Sequence, residues 1–267
     1  MRGFTLIELS IVLVIIAIMA TLAFFVFGRA IRGGRESGER LYLNSLKVSV
    51  EYFKQDHGFL PPLVNDNINA AGEFRLDSPI DRTTQQPLVR DRAFLQGLNN
   101  PGAPRWSVFS LTFYICGVLG ADQDGVEGPG FTKPLDDGRF SRSGRKYDAY
   151  FDSGRDPTRV RRNPTATLGQ TEVVLVDRWG KGAARASWLP NNTIRYYRWE
   201  PRFYPAGTPN AGKVQNYNVP KVVGLPNANE ELRNSGFAIV SKGPDGSIND
   251  STPTAAANAD NLVEVGR

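Results

Sequence analysis

The hydrophobic pattern of the chain is dominated by one unbroken apolar run over residues 4–27. Glu8 is the only charged residue in this run, and the other polar residues are two threonines and Ser10. A helix of this length spans about 36 Å, which is enough to cross a lipid bilayer with some tilt. A carboxylate inside such a helix is costly unless it is paired, so the pattern indicates a membrane helix in which Glu8 has a function.

A second amphipathic pattern predicts that the helix continues beyond the membrane. Apolar residues recur at three- and four-residue spacing along one face, at Leu43, Leu46, Val50 and Phe53. We expect the helix to stop near Asp56, because two prolines follow shortly after it. Glycines between the two patterns should weaken the helix, so we expect flexibility or a kink at Gly28, Gly33, Gly34 and Gly38.

Shorter apolar segments predict the remaining core. Residues 107–119 are predicted to form a buried helix, with Cys116 in the core as a small apolar residue. β-branched and aromatic residues then predict strands at 173–176, at 194–199 and, as the final strand, at 237–241. Gly180 allows a positive φ in the turn after the first of these strands. Turn-forming dipeptides are dense over residues 63–165, which we interpret as an irregular insertion.

Composition excludes several function classes. One cysteine among 267 residues excludes an intramolecular disulfide and a cysteine-based metal cluster, and one histidine leaves little basis for a Ser-His-Asp or Cys-His catalytic group. The net charge is +5, and much of it comes from arginines within residues 29–40 and 155–162. We interpret these arginines as solvated charge near a membrane or at subunit contacts, because no nucleic-acid-binding module is visible. Nucleotide binding has no support, because no glycine-rich phosphate-binding loop follows a strand into a helix.

The C-terminal part carries a candidate calcium loop. Gly243, Pro244 and Gly246 supply a sharp turn, Asp245 and Asp260 supply charge, and Asn261 supplies a neutral oxygen. Ca²⁺ takes six to eight oxygen ligands from such groups, so the segment predicts a calcium site, and a plain β-turn is the alternative. Asp250 could also enter this site. Residues 122–128 have a similar alternation of oxygens without the EF-hand pattern, and there a simple turn is favoured.

The residues Gly3-Phe4-Thr5-Leu6-Ile7-Glu8 resemble the processing site of type IV prepilins and type II secretion pseudopilins. The resemblance implies that a prepilin peptidase cuts between Gly3 and Phe4, that Phe4 becomes methylated, and that Glu8 pairs with the N-terminus of a neighbouring subunit. The leader would then be residues 1–3. The alternatives are a secretory signal peptide, for which the apolar run is too long, and an ordinary membrane anchor, which leaves Glu8 unexplained.

Three further segments resemble the major pseudopilin of type II secretion systems. They are the end of the helix at residues 52–61, the turn Asp177-Arg178-Trp179-Gly180, and the loop that begins at Ser241. The resemblance implies an α+β, pilin-like fold, in which a long N-terminal helix packs on a C-terminal antiparallel sheet. It also implies Ca²⁺ as a cofactor, with the carbonyl group of Lys242 and the side chains of Asp245, Asp260 and Asn261 as ligands.

The resemblance sets the expected domain order. The segments are a leader at 1–3, an assembly helix at 4–27, the periplasmic half of the helix at 28–58 and a globular domain at 59–267. The globular domain would contain the insertion at 63–165, the sheet at 171–241 and the calcium loop at 241–262.

The expected function is structural rather than enzymatic. The resemblance implies a pseudopilus subunit with a single pass through the inner membrane and its C-terminal domain in the periplasm. Its partners would be further copies, other pseudopilins, the prepilin peptidase and the inner-membrane secretion platform, with no nucleic acid. A minor tip pseudopilin, a type IV pilin subunit and a membrane-anchored periplasmic enzyme are the alternatives. The arginines after the apolar run conflict with this topology, because the positive-inside rule places such residues in the cytoplasm.

Overall fold

The architecture was obtained as a computed structural model of the whole chain. The residues that the structure describes are 6–64, 86, 106–135, 138–162, 173–180, 192–198, 219, 234–249, 252 and 255–266. The chain divides into two compact units, Met1–Leu41 and Tyr42–Arg267. This division differs from the domain boundaries predicted after residues 27 and 58, which remain predictions.

A single long helix, α1, extends over Leu6–His57. The helix ends one residue beyond the predicted stop, and Gly58 follows it with a φ of 80°. The N–H group of Gly58 donates to the carbonyl oxygen of Lys54 at 2.8 Å, which caps the last turn in the way that glycine after a helix commonly does. Residues 28–38 remain helical despite their glycines, so the expected weakening does not interrupt α1, and flexibility there stays a prediction.

The described strands form antiparallel sheets, which confirms the predicted α+β fold. A four-stranded sheet has the order β1-β6-β7-β8, while β2 pairs with β3 and β4 pairs with β5. The strands are β1 (Trp106–Ser107), β2 (Phe131–Thr132), β3 (Lys146–Tyr147), β4 (Val160–Arg162), β5 (Val173–Leu175), β6 (Arg195–Arg198), β7 (Phe237–Ser241) and β8 (Leu262–Gly266). Short helical elements lie between them: a π-helix (Thr112–Cys116), α2 (Ala121–Asp124) and 3₁₀ turns (Pro157–Arg159, Ala256–Asn258).

The hydrophobic core joins the last turns of α1 to the sheet. The predicted helix face is confirmed, because the side chains of Leu43, Leu46, Val50 and Phe53 are fully buried. They belong to the same core cluster as the buried residues of β5, β6 and β7. Cys116 is also fully buried in this cluster, as predicted, and burial raises the pKa of its thiol to about 12.

Three of the expected elements differ from the structure. Residues 107–119 are buried, but they do not form one helix, because Ser107 belongs to β1 and only a short π-helix follows. The strand β7 is not the final one, since β8 pairs with it from Phe237↔Gly266 to Ser241↔Leu262. Within the segment interpreted as an insertion, β1 pairs with β6 and so belongs to the main sheet.

Not all arginines of residues 155–162 are solvated, contrary to the interpretation from the sequence. Arg159 is only 2% exposed, and its guanidinium lies over the Tyr42 ring, 4.2 Å from the ring centroid. The same guanidinium donates to the carbonyl oxygen of Val176 at 3.3 Å. Stacking on an aromatic ring and hydrogen bonding to a carbonyl oxygen allow the charged guanidinium group to be buried at the edge of the core.

Candidate functional site

The N-terminal part of α1 presents its apolar side chains to the surroundings rather than to a core. Exposed fractions reach 82% for Leu6 and 79% for Phe24. Among the described residues, α1 is the one helix long and apolar enough to cross a membrane. A surface of this kind is stable only against lipid or against other apolar helices.

The polar residues of this segment differ in how they are satisfied within the helix. The Ser10 hydroxyl donates to the carbonyl oxygen of Leu6 at 2.9 Å, and the Thr21 hydroxyl donates to that of Ala17 at 2.8 Å. Such bonds to the preceding turn let hydroxyl groups enter an apolar phase. Glu8 is exposed in the first turn of α1, where the positive end of the helix dipole stabilises a carboxylate. Gly3 and Phe4, the predicted processing residues, lie outside the described residues.

The C-terminal loop begins directly after β7 with the predicted turn. The N–H group of Gly246 donates to the carbonyl oxygen of Gly243 at 3.2 Å, and both glycines have positive φ values, of 67° and 70°. A side chain on Gly243 would collide with the backbone of Asp260, so glycine is required for the close approach of these two segments. The turn therefore holds the two ends of the predicted calcium loop against each other.

The structure brings the four predicted ligand residues together in two pairs, Asp245 with Asp260 and Lys242 with Asn261. The N–H group of Asp245 donates to Asp260 Oδ2 at 2.9 Å. The side-chain amide of Asn261 satisfies its hydrogen bonds when its nitrogen donates to the carbonyl oxygens of Lys242 at 2.7 Å and Ser247 at 3.0 Å. An oxygen at this position would make three oxygens converge, whereas a nitrogen would donate to both carbonyl groups. Asp250 lies outside the described residues.

The loop also depends on Asn258, which the sequence analysis missed. This residue is 1% exposed, and its side chain donates to the carbonyl oxygens of Asn249 at 2.9 Å and Thr252 at 3.0 Å. Its Oδ1 accepts from the N–H group of Asn249 at 2.8 Å. A lone asparagine in a small, polar segment gives no periodic signal, so only the folded loop reveals it.

The carboxyl groups of Asp245 and Asp260 lie close enough in the loop for their charges to interact. Desolvation, and then the neighbouring charge of Asp260, raise the pKa of Asp245. Asp260 Oδ1 is buried and accepts no hydrogen bond from the part of the chain that the structure describes. The described residues contain no group of three or more His, Cys, Asp or Glu side chains placed to hold a metal ion. Any cation here would therefore need carbonyl and amide oxygens beside its two carboxylates.

Asp177 ties the predicted turn after β5 to the start of this loop. Its Oδ2 accepts from the Ser241 hydroxyl at 2.9 Å and from the N–H group of Lys242 at 3.2 Å. Its Oδ1 accepts from the N–H group of Trp179 at 3.0 Å, and Gly180 has the expected positive φ, of 56°. Burial raises the pKa of Asp177, and these hydrogen bonds oppose the rise. The sequence analysis identified Asp177 only as a turn residue, whereas its hydrogen bonds to Ser241 and Lys242 position the start of the loop.

The second oxygen-rich segment, residues 122–128, forms α2 followed by a turn at Gly125, with a φ of 81°. Asp124 is fully buried here, and its Oδ1 accepts from the N–H group of Val126 at 3.0 Å. Its Oδ2 accepts no hydrogen bond within the described residues. Burial raises the pKa of Asp124 to about 7.

We expect Asp124→Asn to stabilise the protein at pH 8 more than at pH 5. The folded-state pKa lies above the ordinary value of 3.8, so the folded protein binds the proton more tightly than the unfolded chain. Stability of the wild type therefore falls as the pH rises from about 4 to about 7. Thermal denaturation at the two pH values measures the effect, with the exposed Asp122→Asn as control. An equal shift in melting temperature at both pH values would contradict this account.

Comparison with known proteins gives one match. Residues 1–24 match the family described as the prokaryotic N-terminal methylation motif. No curated protein and no solved structure matches the chain. The motif supports a type IV pilin-like, prepilin-type protein that is processed by a prepilin peptidase and assembles into pilus-like polymers. It points to a structural subunit rather than an enzyme.

Proposed function

We propose that this protein is a structural subunit of the pseudopilus of a type II secretion system. The observation that carries the proposal is the match of residues 1–24 to the methylation motif. Glu8 is the one charged residue in the apolar run at residues 4–27. The subunit enters the inner membrane through α1, with its C-terminal domain in the periplasm. After cleavage at Gly3 it stacks with further copies and other pseudopilins, on the inner-membrane secretion platform, into a short filament that drives protein export.

Two features of the globular part support the assignment to a pseudopilin. The face of α1 formed by Leu43, Leu46, Val50 and Phe53 packs into the core of an antiparallel sheet, as expected of a pilin-like subunit. The turn at Asp177 is bonded to the start of the C-terminal loop through Ser241 and Lys242. Two of the three segments whose sequences resemble the major pseudopilin are therefore in direct contact.

Calcium binding by the C-terminal loop is part of the proposal. The donor set fits a hard cation, because two carboxylates, two carbonyl groups and an amide lie within one loop. The buried Asp260 Oδ1 supports this fit, since an unsatisfied carboxylate oxygen is costly without a cation. Asp245 and Asp260 would supply the charge, and Lys242, through its carbonyl group, and Asn261 would supply neutral oxygens. The ion would join the two ends of the loop.

Processing at Gly3 tests the proposed function. Mass spectrometry of the protein from cells with the peptidase should show a mature chain that begins with N-methylated Phe4. Gly3→Val should leave the leader in place, because a branched side chain does not fit a site that accepts a small residue. Ser10→Ala, within the same helix, is the control and should be processed normally. An intact N-terminus in the wild type, or a cut at another position, would contradict the proposal.

A further inference from the structure

Three exposed arginines, Arg29, Arg32 and Arg35, follow the apolar run on α1. The sequence contains no aspartate or glutamate between Leu9 and Arg35. The next acidic residue, Glu36, forms an ion pair with Arg40, with 2.9 Å between Glu36 Oε1 and Arg40 Nη2. The exposed guanidinium groups of the three arginines give α1 a positive surface, here called the arginine cluster, in the compact unit that contains the apolar run.

Helix geometry places the arginine cluster at the depth of lipid headgroups. The helix rises about 33 Å over residues 6–27, against a hydrocarbon thickness of about 30 Å. Arg29 then lies about 3 Å and Arg35 about 12 Å beyond Phe27 along the helix axis. Ile31, which is 58% exposed, continues the apolar surface into the same layer. The cluster thus begins at the point where the hydrocarbon of a bilayer would end.

The direction of the helix favours contact between these arginines and lipid. Side chains on an α-helix tilt toward its N-terminus, so residues after the apolar run extend back toward the membrane. A three-residue spacing makes Arg29, Arg32 and Arg35 neighbours on one side of α1. Each aliphatic stem can lie along apolar surface while its guanidinium group reaches the headgroups. The planar guanidinium binds phosphate oxygens through two parallel hydrogen bonds.

We propose that the arginine cluster binds the phosphate groups of anionic phospholipids where α1 leaves the bilayer. This binding fixes the depth of the helix in the membrane before assembly. It also gives the basic residues a role that does not depend on which side of the membrane they occupy, because anionic lipid is the partner on either side. The proposal goes beyond filament formation and rests only on α1 crossing a bilayer.

The test uses the full chain in vesicles of equal parts phosphatidylcholine and phosphatidylglycerol. Electron spin resonance with spin-labelled lipids measures which of the two associates with the protein. We expect the wild type to prefer phosphatidylglycerol and the preference to fall by up to about fivefold for each arginine replaced, the factor that corresponds to about 1 kcal/mol per basic residue. High salt should reduce the preference as well.

Two matched variants separate the arginine cluster from general charge effects. The triple replacement Arg29→Gln, Arg32→Gln and Arg35→Gln should lose the preference, while replacement of the same three by lysine should keep most of it. The control removes an equal charge from exposed positions in the other unit, with Arg155→Gln, Arg161→Gln and Arg162→Gln. Equal association of both lipids with the wild type would overturn the proposal. An unchanged preference in the first variant, or an equal loss in the control, would overturn it too.

Discussion

Replacing Glu8 by alanine should abolish filament assembly and leave the protein inserted in the membrane. In the proposed filament, the carboxylate of Glu8 pairs with the positive N-terminus of a neighbouring processed chain. Two unit charges about 4 Å apart interact by roughly 4 kcal/mol at an effective dielectric constant of 20, several times more than in water. A filament repeats this pair at every subunit, so its loss acts on every contact. Insertion depends on the apolar surface of α1 and should not suffer.

Two variants and two assays make the Glu8 prediction specific. Glu8→Gln keeps the size of the side chain and removes its charge, so it should fail to assemble just as alanine does. Ser10→Ala removes a hydroxyl that is already bonded to Leu6 within the helix, so it should assemble normally. Filaments are counted by electron microscopy after overexpression, and insertion is measured by resistance to alkaline extraction. Normal filaments from Glu8→Gln would show that the charge is not required.

The sequence predicted those parts of the fold that repeat locally. The face of Leu43, Leu46, Val50 and Phe53 was readable because helical spacing keeps apolar residues on one side, and each of these residues is buried. The strand β7 was predictable because four of its five residues are apolar and two of these are β-branched, and the structure buries all five. In both cases the burial of a residue follows from its immediate neighbours in the chain.

Elements that depend on distant partners were not readable. The strand β8 contains Glu264, and it is a strand because all five of its residues pair with β7. An arginine in a strand does not predict burial, yet Arg195 in β6 is buried. Its guanidinium lies 3.8 Å from the centroid of the Trp106 ring. Tertiary context overrides local preference at such positions. For the same reason, the turn residues of the candidate calcium loop were predicted, while the roles of Asn258 and Asp177 were not.

Calcium should raise the melting temperature of the full chain in detergent, and chelator should reverse the effect. An ion that binds only the folded state adds about 2.7 kcal/mol at a hundredfold excess over its dissociation constant. For a domain of this size that corresponds to roughly 5–10 °C.

The tail after Ser241 should also become resistant to proteolysis, because Asp245 and Asp260 lie at opposite ends of the loop. Mg²⁺ should substitute poorly, since it requires near-ideal octahedral geometry. Acid should weaken the response, because the raised pKa of Asp245 lets protons compete with the ion.

Substitutions in the loop distinguish a bound ion from a loop closed by amide hydrogen bonds. Asp245→Ala and Asp260→Ala should each remove the calcium response, whereas Asp148→Ala, at an exposed position outside the loop, should keep it. Asn261→Asp is the sharpest variant. It places a carboxylate beside the carbonyl oxygens of Lys242 and Ser247, so it should destabilise the protein in chelator and increase its affinity for calcium. If the amide nitrogen of Asn261 closes the loop without an ion, this variant is destabilised equally in calcium and in chelator. The wild-type melting curve is then also the same in both, and the calcium proposal fails.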